Sequence, residues 1–205
     1  MLDNKGFDLW ADDYDKSVGL SDEDNTFPFA GYKEVLGKIF ADVMCKKNAR
    51  VLDIGFGTGT LTSKLYENGC MIWGVDFSER MIEIAHEKMP QAHLVSGDFT
   101  KEIPKDFLQK KFDFIIATYA LHHLTDEEKP DFLKSLLPLL DSGGKILIGD
   151  VAFDTREELL ACQEENASEW DEEEFYFVSD EIKAIFPQKC RFEKISFCAG
   201  IFYIG

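Results

Sequence analysis

Strand-length segments rich in apolar residues recur along this chain at residues 50–54, 70–76, 92–98, 112–119 and 145–151. Runs such as Phe114-Ile115-Ile116-Ala117 suit strands buried on both faces of a parallel sheet. Between them, apolar positions fall three and four apart, which is the helical period. Val35, Leu36, Ile39, Phe40, Val43 and Met44 form one stripe of a helix over 29–46 that should dock on the sheet. Leu61 and Leu65 open a crossover helix that stops at Asn68-Gly69. Ser78 caps a second helix that runs to Lys88 and ends before Pro90. Thr125 and Glu128 have capping-box spacing, although Pro130 follows closely enough to predict a kink or a restart at Asp131. The stripe Leu133, Leu136, Leu137 and Leu140 continues that helix until Ser142-Gly143-Gly144 stops it. A second capping box, Thr155 with Glu158, starts a helix that reaches toward Asn166.

The two ends depart from this alternation. Residues 7–17 predict a short helix with Phe7, Trp10 and Tyr14 on one face, and a polar link leads from it to the 29–46 helix. Near the other end, residues 169–182 are acidic and aromatic, read as a connection ending in a short helix before Pro187, with Asp171 to Glu174 as a solvated face. Residues 191–197 and 201–205 read as two strands around Ala199-Gly200, an antiparallel hairpin at one sheet edge. The whole predicts an α/β fold: a doubly wound, mostly parallel seven-stranded sheet with an antiparallel C-terminal edge hairpin. We expect one domain over 1–205, with an N-terminal helical cap (1–46), a binding core (50–150) and a substrate-side segment with the final hairpin (151–205). In such a sheet, ligands lie beyond the carboxyl ends of the strands.

Composition narrows the partners. Asp and Glu outnumber Lys and Arg by 39 to 22, a formal net charge of −17. A chain this acidic is repelled by polyanions, which argues against nucleic acid and anionic membrane as partners. The five cysteines are odd in number and form no CxxC pair, which fits a reducing cytoplasm better than a disulfide framework. Neither an apolar leader nor a membrane-length apolar run is present, so a soluble, intracellular protein is expected. Oligomeric state has no signature in the sequence.

The candidate chemistry starts at residues 50–62, RVLDIGFGTGTLT. Gly55, Gly57 and Gly59 follow a buried strand, and glycine allows a tight turn whose backbone lies against a ligand. A dinucleotide turn of the G-x-G-x-x-G type would place its third glycine at Thr60, so the register is off by one. Asp53 at the strand end would repel a pyrophosphate and favour a ligand carrying positive charge. Asp76 ends the second strand, 21 positions beyond Gly55, where a carboxylate accepts ribose hydroxyls. Phe77 beside it offers an apolar face to an adenine.

The D-x-G-x-G-x-G run from Asp53 resembles the class I S-adenosylmethionine (SAM)-dependent methyltransferases. SAM carries an ammonium and a sulfonium but no phosphate, which suits the altered loop and the acid beside it. The resemblance implies a SAM site made by Asp53, Gly55, Phe56, Gly57 and Gly59, by Asp76 and Phe77, and by Thr118 at the end of strand four. Asp98 and Phe99 resemble the family's adenine-edge position. The run TYALHHLTDEEK (118–129), together with WADDYD and FYFVSDEI, resembles small bacterial methyltransferases of the YrrT type. That implies methylation of a small-molecule acceptor. Thr118-Tyr119-Ala120-Leu121 replaces the Asn-Pro-Pro-Tyr motif of base-amino methyltransferases, which further removes nucleic acid as substrate.

His122 and His123 are candidate catalytic bases, since imidazole titrates near working pH. Adjacent side chains in a loop often point apart, so one of the pair should be structural. Two neighbouring histidines with no carboxylate at ligand spacing do not make a metal site, and no metal is expected. Holding the acceptor in line while excluding water can supply much of the rate without a base. Trp10 and Tyr14 from the first helix, with Tyr119 and Tyr176, are expected to line or close over the acceptor, Tyr14 also being a catalytic candidate. Two alternatives remain: a SAM-binding sensor without chemistry, and a nicotinamide-dependent reductase, although the chain has no Tyr-x-x-x-Lys pair.

Overall fold

The computed structural model describes residues 25–205, so the expected 7–17 helix, with Trp10 and Tyr14, lies outside the described residues. Among the described residues, eight strands form one sheet: β1 (Arg50–Ile54), β2 (Met71–Asp76), β3 (His93–Ser96), β4 (Phe112–Thr118), β5 (Leu140–Phe153), β6 (Phe177–Val178), β7 (Cys190–Lys194) and β8 (Ala199–Ile204). Their order is β3-β2-β1-β4-β5-β8-β7, with the short β6 paired to the end of β5. The pairs from β3 through β5 are parallel, whereas β8 runs antiparallel to both β5 and β7. The order reverses between β1 and β4, which opens a crevice at their carboxyl ends.

Among the described residues, six α-helices cover the two faces: α1 (Tyr32–Met44), α2 (Thr62–Glu67), α3 (Glu79–Lys88), α4 (Glu128–Leu136), α5 (Arg156–Glu165) and α6 (Ser179–Ile185). Val51 joins the core beneath α1, and Leu52 and Ile54 join the core beneath α4, as a strand buried on both sides requires. The α1 stripe buries Val35, Leu36, Ile39 and Val43. It approaches β5 at Gly149, where a Cβ would collide with Val35 and Ile39.

The capping signals hold. Ser78 Oγ accepts from the Met81 N–H at 3.2 Å, and Thr155 Oγ1 accepts from the Glu158 N–H at 3.3 Å. Thr125 and Glu128 exchange bonds, the Thr125 N–H donating to Glu128 Oε2 at 2.9 Å and the Glu128 N–H to Thr125 Oγ1 at 3.3 Å. Pro130 causes no restart, because it sits in the first turn of α4, where no intrahelical donor is needed.

Three expectations are corrected. The Leu133–Leu140 stripe does not stay helical: Pro138 lacks the N–H to continue the ladder, and the chain passes through a 3-10 turn at Leu137–Leu139 into β5. Ser142-Gly143-Gly144 is therefore part of β5, where the register shifts opposite Phe112 and Phe114. The 169–182 connection contains β6, which sequence periodicity missed because two residues are too few to show a period. At the edge hairpin, Ala199-Gly200 starts β8 rather than forming the turn.

Candidate active site

The crevice holds a cleft of about 660 Å³, counting its open mouth, lined by the loop after β1, the tips of β2 and β4, and Tyr32 at the start of α1. Gly55, Gly57 and Gly59 all have positive φ, of 69°, 55° and 76°. Their reasons for being glycine differ. A Cβ on Gly55 would lie 2.5 Å from the Ala120 methyl, and one on Gly59 would press on Met89 and Ala85. A Cβ on Gly57 would meet open space within 4 Å, so its backbone is the part of the loop left clear for a ligand. Gly59 packs behind the loop and does not line the cleft.

The loop is tied to the neighbouring strand. The Gly57 N–H donates to Asp76 Oδ2 at 2.8 Å, and the Ser78 N–H donates to Asp76 Oδ1 at 3.0 Å. Lys88 Nζ donates to the Thr58 carbonyl at 2.8 Å from the far side. Phe56, Asp76, Phe77, Phe99 and Thr118 all line the cleft, and the Phe77 and Phe99 rings lie 6.4 Å apart.

Asp53 lies beneath the loop rather than on the cleft wall, fully buried, because β1 points its side chain toward the first turn of α2. There Thr62 Oγ1 donates to its Oδ2. Its Oδ1 has no hydrogen-bond partner among the described residues. Burial, with the nearby Asp76 charge, pushes its pKa up to about 7, the Thr62 bond opposing them.

Asp98 is not on the cleft wall; its carboxylate closes a local turn, accepting from the Thr100 N–H at 3.1 Å and pairing with Lys101 Nζ at 2.7 Å. Burial opposes these contacts, yet they hold its pKa below the ordinary carboxylate value.

The two histidines part company, as the loop argument expects. His123 lines the cleft, and burial together with His122 pushes its pKa down to about 4, leaving a neutral imidazole. His122 is buried behind it, with Nδ1 donating to Asp150 Oδ1 at 2.8 Å. Burial alone would lower the His122 pKa, but the carboxylates of Asp150 and Glu174 outweigh it and raise it. Asp150 is fixed in turn by the Leu121 and Val151 N–H groups. His122 is therefore held behind the cleft wall rather than on it.

Tyr119 lines the cleft with φ of 50°, uncommon for a non-glycine residue, its N–H held by the Gly149 carbonyl at 2.8 Å. Its ring packs on Tyr32 and Phe29, at 4.9 and 5.5 Å. Tyr176 is corrected from a cleft residue to a core one: it is buried against Trp170 and Phe27, and its hydroxyl donates to Glu174 Oε2 at 2.7 Å. Sequence reasoning missed Tyr32, Thr58, Thr60, Leu61, Thr62 and Met81 among the lining residues. Thr58 through Thr62 directly follow the glycines and were within its reach, whereas Tyr32 arrives from a distant helix with no local signal.

A glycine turn at the switch point of this sheet, with an acid at the tip of the neighbouring strand, defines a nucleoside-binding α/β enzyme. The model of the methyltransferase domain family matches residues 51–144. An uncharacterized methyltransferase of Geobacillus sp. (strain WCH70) is 40% identical over 164 residues, 78% of this chain and 72% of that protein. A second, from Geobacillus kaustophilus (strain HTA426), is 37% identical over 190 residues, 89% of this chain and 85% of its own length. The solved DhpI–SAH complex superposes with a TM-score of 0.72 at 16% identity, over 98% of this chain and 94% of that one. The chain belongs to the class I SAM-dependent methyltransferases. Among the described residues, no helix is long and apolar enough to cross a membrane.

Proposed function

We propose that this protein transfers the methyl group of SAM, by in-line displacement, to a small-molecule acceptor. The observation that carries the cofactor reading is the loop itself: Gly57 faces open space while its N–H is held by Asp76 at the tip of β2. The Asp53 carboxyl buried beneath the loop, its pKa pushed up to about 7, would be drawn to its ionised form by a nearby sulfonium or ammonium, whereas a pyrophosphate would be repelled by that charge. The Asp76 carboxylate on the cleft wall suits ribose hydroxyls, and Phe77 and Phe99 offer apolar faces to an adenine. Asp98, turned into its own loop, takes no part in this reading.

SAM, when bound, supplies an activated methyl group; this chain's residues position the acceptor and exclude water from it. Tyr119, Tyr32 and Phe29 form an aromatic wall suited to a small, partly apolar molecule. His123 presents a neutral imidazole at that wall. With its pKa near 4 it is a weak base, so we assign it first to orienting the acceptor and only second to taking its proton.

The test compares thermal stabilisation by SAM, S-adenosylhomocysteine and NAD, since a ligand bound only by the folded state raises the melting temperature. SAM and S-adenosylhomocysteine should stabilise and NAD should not; the reverse overturns the reading. Conversion of SAM to S-adenosylhomocysteine with an acceptor from a metabolite panel then establishes transfer, and firm binding without turnover across that panel counts against it.

A further inference from the structure

Behind the cleft wall, Glu174 comes to lie against both histidines. Its Oε1 is 3.6 Å from His122 Nε2, and one donor atom each from His122, His123 and Glu174 lie within 4.8 Å of one another. The nearby Asp126 is taken up by Lys129 and Arg156, and the fold brings Glu174 to the pair from 51 positions away, since 174 minus 123 is 51.

His122 is held by Asp150 through Nδ1, which leaves Nε2 as the ring atom turned toward Glu174 Oε1. A ligand atom of His123 lies within the same small sphere, and two imidazoles with one carboxylate make a set that a metal ion uses. The Asp150–His122 bond is the arrangement that metal-bound histidines commonly have on the far ring nitrogen.

Glu174 is tethered beside the two histidines. Tyr176 Oη donates to its other oxygen at 2.7 Å. The next residue, Phe175, is tied at both ends: its N–H donates to the His122 carbonyl at 2.7 Å, and its carbonyl accepts from Lys129 Nζ at 2.5 Å. Donors bound to one tetrahedral ion at about 2.1 Å lie roughly 3.4 Å apart, so closure by an ångström or so is needed. Glu174, with a quarter of its side chain exposed, has room to move by that much.

We propose that His122 Nε2, His123 and Glu174 bind a divalent transition-metal ion of the zinc class at the edge of the acceptor side of the cleft. Two imidazoles and one carboxylate select such ions over magnesium or calcium, which favour all-oxygen sets. A fourth position remains for water or for the acceptor's heteroatom. An O–H or S–H acceptor bound there releases its proton to solvent more readily, which makes it a better nucleophile. The site itself stands on the donors; this role for it rests on the methyl-transfer reading above.

The test uses the full chain, stripped of metal with a chelator and titrated with cobalt(II). One cobalt per chain, with visible bands of low-symmetry coordination that zinc abolishes, is the expected result. Glu174→Gln, which keeps an acceptor for Tyr176, should weaken cobalt binding about tenfold or more while S-adenosylhomocysteine still raises the melting temperature. If that variant does not fold, His123→Ala serves as the second variant with the same expected loss. Absence of stoichiometric cobalt binding overturns the site, as does binding that both variants leave unchanged. A near-ultraviolet thiolate-to-cobalt band overturns it too, since the metal would then sit on one of the five cysteines. Stoichiometric cobalt without any stabilisation by S-adenosylhomocysteine supports the metal site and counts against the cofactor reading.

Discussion

Replacing Asp53 with Asn probes the electrostatics beneath the glycine loop. The carboxyl is buried with one oxygen unpartnered among the described residues, and its pKa stands at about 7 instead of 3.8. An acid whose folded pKa lies above its unfolded one binds protons more tightly when folded, so it penalises folding as pH rises between the two values. The penalty is absent below about 3.8, grows through the interval and levels off above about 7. A shift of about three units corresponds to a penalty on the order of 4 kcal/mol at its full extent. Asp53→Asn keeps the shape, retains an oxygen to accept from Thr62, and removes the titration. At about pH 8 the variant should melt higher than the wild type, by roughly 10 °C at about 2–4 °C per kcal/mol for a chain of this size. That gap should close as pH falls to about 4. Melting curves of both proteins across this range, read as a difference so that other titrating groups cancel, provide the assay. A gap that does not change with pH, or a variant that melts lower at about pH 8, refutes the argument. In the same variant, SAM should lose more affinity than S-adenosylhomocysteine, which lacks the sulfonium charge.

Asp113 has the opposite sign. Burial would raise its pKa, but the Arg50 N–H, Lys46 and the Arg50 guanidinium hold it at about 2. Its stabilisation is complete above about 3.8 and is lost as pH falls through about 2. With partners part-exposed to solvent, Asp113→Asn should cost about 1–2 kcal/mol in a denaturant titration at neutral pH, and nothing below about pH 2. Gly149→Val forces a branched side chain against Val35 and Ile39, and should cost about 1–3 kcal/mol or more by loosening α1 from β5; protease sensitivity within α1, equal to that of the wild type, would show the contact to be slack. Lys129→Met removes the donor to the Phe175 carbonyl and to Asp126, and should cost about 1–3 kcal/mol in the same denaturant assay. That variant should also weaken cobalt binding, because it frees the segment that carries Glu174.

The parallel core was legible because its strands carry apolar runs and its helices carry caps that act locally. Ser78 and Thr155 sit at the starts of their helices for reasons contained within four residues of sequence. The glycine turn was legible for the same reason. What escaped was set by distance along the chain. Glu174 reads as part of an acidic surface run, yet the loop folds back on His122 through hydrogen bonds made by its neighbour's backbone. Tyr176 looks like an aromatic available to a ligand, and only the packing of Trp170 and Phe27 shows it to be core. Asp98 was placed by likeness to a pattern, while the Thr100 and Lys101 that claim its carboxylate lie within three residues and could have been read. Pro138, too, was visible and outranks the leucine stripe around it.

The bond from Gly57 to Asp76 has a consequence for how this pocket can evolve. The carboxylate at the tip of β2 holds the loop through the Gly57 N–H, so less ordering of that loop is left to oppose binding of a ligand. One side chain then serves two masters. If Asp76 holds the ribose as proposed above, any replacement there also unfastens the loop opposite it. Drift toward a different nucleoside would need paired changes on β1 and β2, which makes this end of the sheet slow to change while the acceptor wall stays open to variation.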